Sequence, residues 1–205
     1  MPITIDGDGT ITGVSVGGLP DGIVDTDMLA ANAVSSAKLA SGVGGKILQV
    51  VSTHTHSAAS FSVSSDTTTE ITDLSVNITP TTATSNMLIF VMWHGEHSAA
   101  NYNMTFGLRR DSTDIGGPPS ANSRTVNIAM IQQGYWNEDD ASTPDSCNYN
   151  YLDTSRSSGT SQITYKATLR TNHAGTTYNN RTVTDTNQSD YERLTSSITV
   201  MEVAA

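Results

Sequence analysis

The chain has 205 residues and a formal net charge of −10, and it is 36% hydrophobic and 15% charged, with Ser, Thr, Asn and Gly supplying much of the remainder. That balance excludes a charged disordered tail and a Leu-rich helical enzyme. The ten Lys and Arg residues are dispersed, which excludes the concentrated basic patch that nucleic-acid binding requires.

Residues 1–45 follow one grammar and the rest of the chain another, with the change at Gly42-Val43-Gly44-Gly45. The opening residues Met1 to Asp6 have neither a basic start nor an apolar core, so no secretory leader is expected. Thr10 to Val16 alternates as a short strand and runs into the turn Gly17-Gly18-Leu19-Pro20-Asp21-Gly22. Asp25-Thr26-Asp27 and Ser35-Ser36 offer capping oxygens before Met28-Leu29-Ala30-Ala31 and Ala37-Lys38-Leu39-Ala40, which predicts two short helices. Helices shorter than ~12 residues are marginal alone in water. Ile23, Val24, Met28, Leu29, Val34, Leu39 and Val43 are too few and too scattered to enclose a core within one chain. Residues 1–45 are therefore expected to form an anchor or stalk intertwined with other copies.

From residue 46 onwards the period is two. Leu74, Val76 and Ile78 alternate with polar neighbours, as do Ile163, Tyr165, Ala167 and Leu169. Further strands are expected at 46–52, 87–94, 104–109, 125–132, 147–152 and 194–203, most of them separated by Gly, Pro, Asn or Asp clusters. Roughly eight to ten short strands predict an all-β domain over 46–205, a β-sandwich of jelly-roll type. The run Met87 to Trp93 does not alternate, which places it mid-sheet, buried on both sides or facing a neighbouring chain. No stretch approaches the roughly 18 apolar residues of a membrane span, so no membrane insertion is expected. The single Cys147 excludes an intrachain disulfide framework and suits assembly in a reducing cytoplasm.

Two segments carry a family likeness. Gly9-Thr10-Ile11-Thr12-Gly13-Val14-Ser15-Val16-Gly17-Gly18-Leu19-Pro20-Asp21-Gly22, followed by Ala-Asn-Ala-Val-Ser-Ser-Ala-Lys-Leu-Ala to Ala40, resembles the N-terminal part of bacteriophage tail-fibre and related virion proteins. Gly45-Lys46-Ile47-Leu48-Gln49-Val50-Val51-Ser52, then Leu74 to Pro80 and Asn86 to Ile89, resembles a C-terminal β module of the same proteins. The resemblance implies a homotrimeric appendage on the virion surface, made in the host cytoplasm. It would be joined to tail or capsid proteins by its N-terminus, with the β domain outward against a host surface glycan. The Ala-Lys-Leu-Ala phrase occurs once where related chains repeat it, so the stalk is expected to be short.

His54-Thr55-His56 is the sharpest chemical lead. Residues two apart on a strand share a face, and some phage fibres place such His-x-His rings around octahedral iron on a threefold axis. The resemblance thus offers His54 and His56 as ligands of an axial metal ion, beside the plainer reading of two polar surface groups. No other cofactor is implied. His94-Gly95-Glu96-His97 matches no helical zinc spacing and is expected to be a loop leaving a core strand. Asp6-Gly7-Asp8-Gly9 imitates part of a calcium loop but lacks its outer ligands, and Glu138-Asp139-Asp140 reads as a solvated acidic tip.

Tyr102, Tyr135, Trp136, Tyr149 and Tyr178 flank or occupy expected loops. Of these, Tyr135, Trp136 and Tyr178 are the candidate sugar-binding aromatics. No phosphate-binding Gly loop or fixed carboxylate pair is present. A structural, non-enzymatic role is therefore expected, with a carbohydrate-binding module as the alternative and a spike hydrolase behind it.

Overall fold

Outside strands β1 and β2, inward and outward side chains alternate along nearly every strand of this protein, and one apolar core collects the inward set. The computed structural model describes residues 4–5, 11–12, 29, 33–34, 38, 46–99, 101–120, 122–133 and 142–205. The chain divides into two compact units, Met1–Gly45 and Lys46–Ala205.

In the first unit β1 (Thr4–Ile5) pairs antiparallel with β2 (Ile11–Thr12), Ile5 opposite Ile11. The strand expected at 10–16 is thus present at Ile11 and Thr12. The short helices expected near 28–31 and 37–40 fall outside the described residues except at Leu29 and Lys38. Leu29 and Val34 are exposed.

The second unit carries two antiparallel sheets. The first is built from β3 (Ile47–Thr55), β4 (Ser60–Val63), β6 (Asn86–His97), β10 (Asp145–Asp153), β12 (Gly175–Asn179) and β13 (Ser196–Val203). Its order is β3-β13-β6-β12-β4, with β10 on the other edge of β6. The second sheet comprises β5 (Thr69–Ile78), β7 (Asn101–Arg110), β8 (Thr113–Ile115), β9 (Ala129–Gln133) and β11 (Ile163–Arg170). It runs β5-β11-β7-β8, and β9 also pairs with β7.

Met87, Ile89, Val91 and Trp93 on β6 meet Ile198 and Val200 of β13 and Cys147 and Tyr149 of β10 on the inner side of the first sheet. Leu74, Val76, Ile78, Met104, Phe106, Leu108, Tyr165 and Leu169 answer from the second. The rings of Trp93 and Phe106 lie 4.9 Å apart between centroids, and Phe106 also tilts onto Tyr149. Tyr149 donates from its hydroxyl to the Gly107 carbonyl at 2.7 Å. Burial without charge relief holds the Tyr149 hydroxyl well above its ordinary pKa.

β12 succeeds β13 along one edge of β6, and Asn180 closes the joint. Its backbone N–H donates to the His94 carbonyl, its side-chain amide donates to the carbonyls of Thr55 and Ser57, and its Oδ1 accepts from Ser196 at 2.6 Å. The residue is fully buried with φ of 56°, a left-handed conformation that asparagine tolerates better than most. The turn at 56–59, which separates β3 from β4, is fixed by these bonds.

Three expectations are corrected by the register. His94-Gly95-Glu96-His97 is no loop but the continuation of β6, paired with β10 at His94 and Gly95 and with β12 from Gly95 to His97. Glycine is required at 95, because a Cβ there would collide with the Tyr178 carbonyl and sit 2.7 Å from the Trp93 ring. The strand expected at 125–132 begins only at Ala129, and Tyr149, within the strand expected at 147–152 but counted among the loop-flanking aromatics, is buried in the core.

Candidate functional site

The two sheets present opposite chemistry to the outside. On the second sheet Glu70 takes Lys166 at 2.9 Å and Arg109 at 3.2 Å, Arg109 also holds Asp114, and Arg170 holds Asp66. Ion pairs to Lys166 and Arg109 draw the Glu70 carboxyl below its usual range against the opposing effect of burial. This is an ordinary solvated face.

The outward positions of β3, β13 and β10, and of β6 as far as His94, differ. They are Leu48, Val50, Ser52 and His54 on β3, Ser197, Thr199, Met201 and Val203 on β13, Asn86, Leu88, Phe90, Met92 and His94 on β6, and Ser146, Asn148, Asn150 and Leu152 on β10. None is Asp, Glu, Lys or Arg, in a chain with twenty acidic and ten basic residues. Directly opposed residues share a face, so the register draws an unbroken apolar row across four strands: Val50, Met201, Leu88 and Leu152. The next row is Ser52, Thr199, Phe90 and Asn150. Val50 is 52% exposed, Phe90 40% and Leu152 45%. Beside Phe90 a shallow depression of about 310 Å³ is floored by Met92, Asn148, Asn150 and Ser197.

A row of this kind is unusual on a solvated face. Scattered exposed apolar residues are normal, but a contiguous patch rimmed by polar groups marks a contact surface. Covering a Val, Leu or Phe side chain fully is worth roughly 1.5–3 kcal/mol. Association costs on the order of 4–15 kcal/mol, so Leu48, Val50, Leu88, Phe90, Leu152 and Met201 together are of the size needed. The run Met87 to Trp93 is thus half resolved within one copy: its odd-numbered residues are buried, and Leu88, Phe90 and Met92 face outward.

No protein-family model matches this sequence, nor does any curated protein. The chemistry of the site is therefore carried by its own residues.

His54 lies on this same outward face, on the edge strand β3 and opposite Ser197. His56 stands one residue past the end of β3, where the chain bends, and both imidazoles are exposed. Among the described residues no group of three or more His, Cys, Asp or Glu is arranged to hold a metal ion. His94 is committed through Nδ1 to the Thr195 carbonyl at 2.7 Å, and His97 is buried against Thr177 with burial lowering its pKa.

Tyr178 sits on β12 with the Arg181 guanidinium 4.2 Å above its ring, so one aromatic face is occupied. Tyr135 and Trp136, with the acidic stretch at 138–140 and the Asp6 to Gly9 segment, lie outside the described residues. Cys147 is buried in the core, and desolvation pushes its thiol up to about 12.

Among the described residues the two most deeply buried glutamates, Glu96 and Glu202, are held by hydrogen bonds of the fold. Glu96 accepts from the Thr143 backbone N–H and hydroxyl and from the Val183 N–H. Glu202 accepts from Ser85, Gln49 and the Thr81 and Thr82 backbone N–H groups.

One signal for the apolar face is legible in the chain, the missing alternation in 87–93. Val50, Met201 and Leu152 were beyond reach, because their alignment with Leu88 depends on pairings between segments far apart in the chain.

Proposed function

We propose that this protein is a non-enzymatic structural subunit of a bacteriophage particle, a short homotrimeric fibre or knob attached through residues 1–45. The charge-free apolar outer face of β3, β13, β6 and β10 carries the reading. A chain of net charge −10 repels its own copies, and a face with no formal charge is where they can approach without like charges meeting. The occupant of the face is accordingly a second and third copy of this chain.

Three further observations support it. The likeness of residues 9–22, 25–40, 45–52, 74–80 and 86–89 to virion fibre proteins supplies the class. Leu29 and Val34 in the first unit are exposed, as residues awaiting identical partners would be. The strand order supports a jelly roll: of the eight longer or central strands β3, β5, β6, β7, β9, β10, β11 and β13, the first lies beside the last and the third beside the sixth. In the other sheet the second lies beside the seventh and the fourth beside the fifth.

Light scattering on the purified full-length chain tests the proposal. The expected mass is three times the 21.7 kDa of one chain. A monodisperse single copy at micromolar concentration overturns it. Labelling the protein on intact particles then separates tail from capsid attachment.

A further inference from the structure

Residues 122–128 lie on the outer face of the second sheet and are clamped rather than draped. Asn127 lies against Gly107 so closely that a Cβ at 107 would overlap its Oδ1, and the Ile128 N–H donates to the Phe106 carbonyl at 3.0 Å. Two depressions open beside this clamp, of about 420 Å³ and 310 Å³, and they share Arg124 and Arg170 as a common wall.

The charges around them do not balance. Asp66 is spent on Arg170, whose Nη2 donates to its carboxylate and Nε to its backbone carbonyl, each at 3.0 Å, and whose Nη1 donates to Thr125. Asp114 is spent on Arg109 at 2.7 Å. Arg124 is exposed and has no hydrogen bond or ion pair among the described residues. One cation is thus left over at the junction of two hollows, in a chain that carries ten more negative than positive charges.

From this leftover cation we infer that the Arg124–Arg170 wall is a binding site for a carboxylate-bearing saccharide unit, of uronic or sialic acid type. The inference rests on the reading above and adds to it the host glycan that the β domain of such an appendage would contact. Arg124 supplies a free guanidinium fork for the carboxylate. Thr68, Thr125 and Asn172 offer hydroxyl and amide groups to the ring hydroxyls, and Pro118 and Met130 offer apolar surface to its C–H face. The site lies on the sheet opposite the apolar face, so trimerisation leaves it open.

The test is calorimetric titration of the full chain with an alginate hexasaccharide, an oligomer of sialic acid and a neutral maltohexaose, for the native protein and Arg124→Gln. Expected is binding of at least one acidic oligomer, tenfold or more weaker binding of it by Arg124→Gln, and no measurable binding of the neutral one. Because Arg124 supports no fold contact, the variant keeps the native melting temperature and mass. Failure of both acidic oligomers to bind, equal binding of the neutral one, or undiminished binding by Arg124→Gln overturns the inference. Mass measured on the same samples reports separately on the trimer. Acid binding by a single copy would sink the trimer and keep this site, and a trimer indifferent to both acids would do the reverse.

Discussion

The indole Nε1 of Trp93 donates to Oδ1 of Asn179 at 2.9 Å, and the Asn179 amide donates in turn to the Thr72 carbonyl at 2.7 Å. Trp93 and Asn179 belong to the first sheet and Thr72 to the second, so one side chain pins the two layers together. Thr72 precedes Asp73, which has φ of 64° and interrupts the alternation of β5 so that both Ile71 and Leu74 reach the core. Asn179→Leu strands a buried N–H and a buried carbonyl, each worth roughly 1–3 kcal/mol. Urea unfolding is expected to show a loss of about 2–5 kcal/mol, with disturbed tryptophan emission before the main transition.

Glu202 makes stability depend on acid. Burial alone would raise its carboxyl, but hydrogen bonds from Ser85, Thr81, Gln49 and Thr82 outweigh burial and hold it at about 2, against 4.5 for an ordinary glutamate. The folded value is depressed, so the stabilisation is complete above the unfolded value and is lost as pH falls from about 4.5 towards about 2. Linkage gives this carboxylate a contribution on the order of 3 kcal/mol at neutral pH. Glu202→Gln is expected to be less stable than the native protein at pH 7 and to converge with it near pH 2. Parallel curves across that range would refute the assignment.

Asp153 is wholly buried and accepts two bonds from Arg110 Nη1, at 2.7 and 2.9 Å, and one from the Tyr165 hydroxyl at 2.8 Å. Desolvation raises its carboxyl, and Arg110 and Tyr165 more than reverse this. Removing either partner of a buried pair leaves the other charge uncompensated, at about 3–5 kcal/mol. Arg110→Met and Asp153→Ala are each expected to cost that much, and the double variant less than their sum. A double-mutant cycle in guanidinium chloride measures the coupling.

On the apolar face, Leu88 lies at the centre of the four-strand row. Leu88→Lys is expected to reduce the mass in solution to that of one chain while far-ultraviolet circular dichroism keeps its strand signal. Leu88→Met is expected to leave the native mass unchanged. A Leu88→Lys protein that stays at three copies would show that the face is not where copies meet.

How much of this was legible beforehand follows from which residues fill the core. β5 and β11 were readable because Leu74, Val76, Ile78 and Ile163, Tyr165, Leu169 obey a period of two with apolar residues inward. β12 was not, because its inward positions are Thr177 and Asn179, both buried and both polar, so no apolar alternation marks it. β4 offered only Phe61 and Val63, and β8 only Ile115. β13 remained visible through Ile198 and Val200 even though the next inward residue is Glu202. The histidine pair shows the same limit: the spacing of His54 and His56 is right for one strand face, but Asn180 draws the Thr55 and Ser57 carbonyls and ends β3 between the two.

A surface lacking formal charge gives counterions nothing to shield. Were copies to meet through Val50, Leu88, Met201 and Leu152 as proposed, salt would tighten the contact twice over, by salting out its apolar side chains and by screening the repulsion between acidic copies. Dilution and cold, which fade hydrophobic attraction, are the stresses to which such an assembly answers.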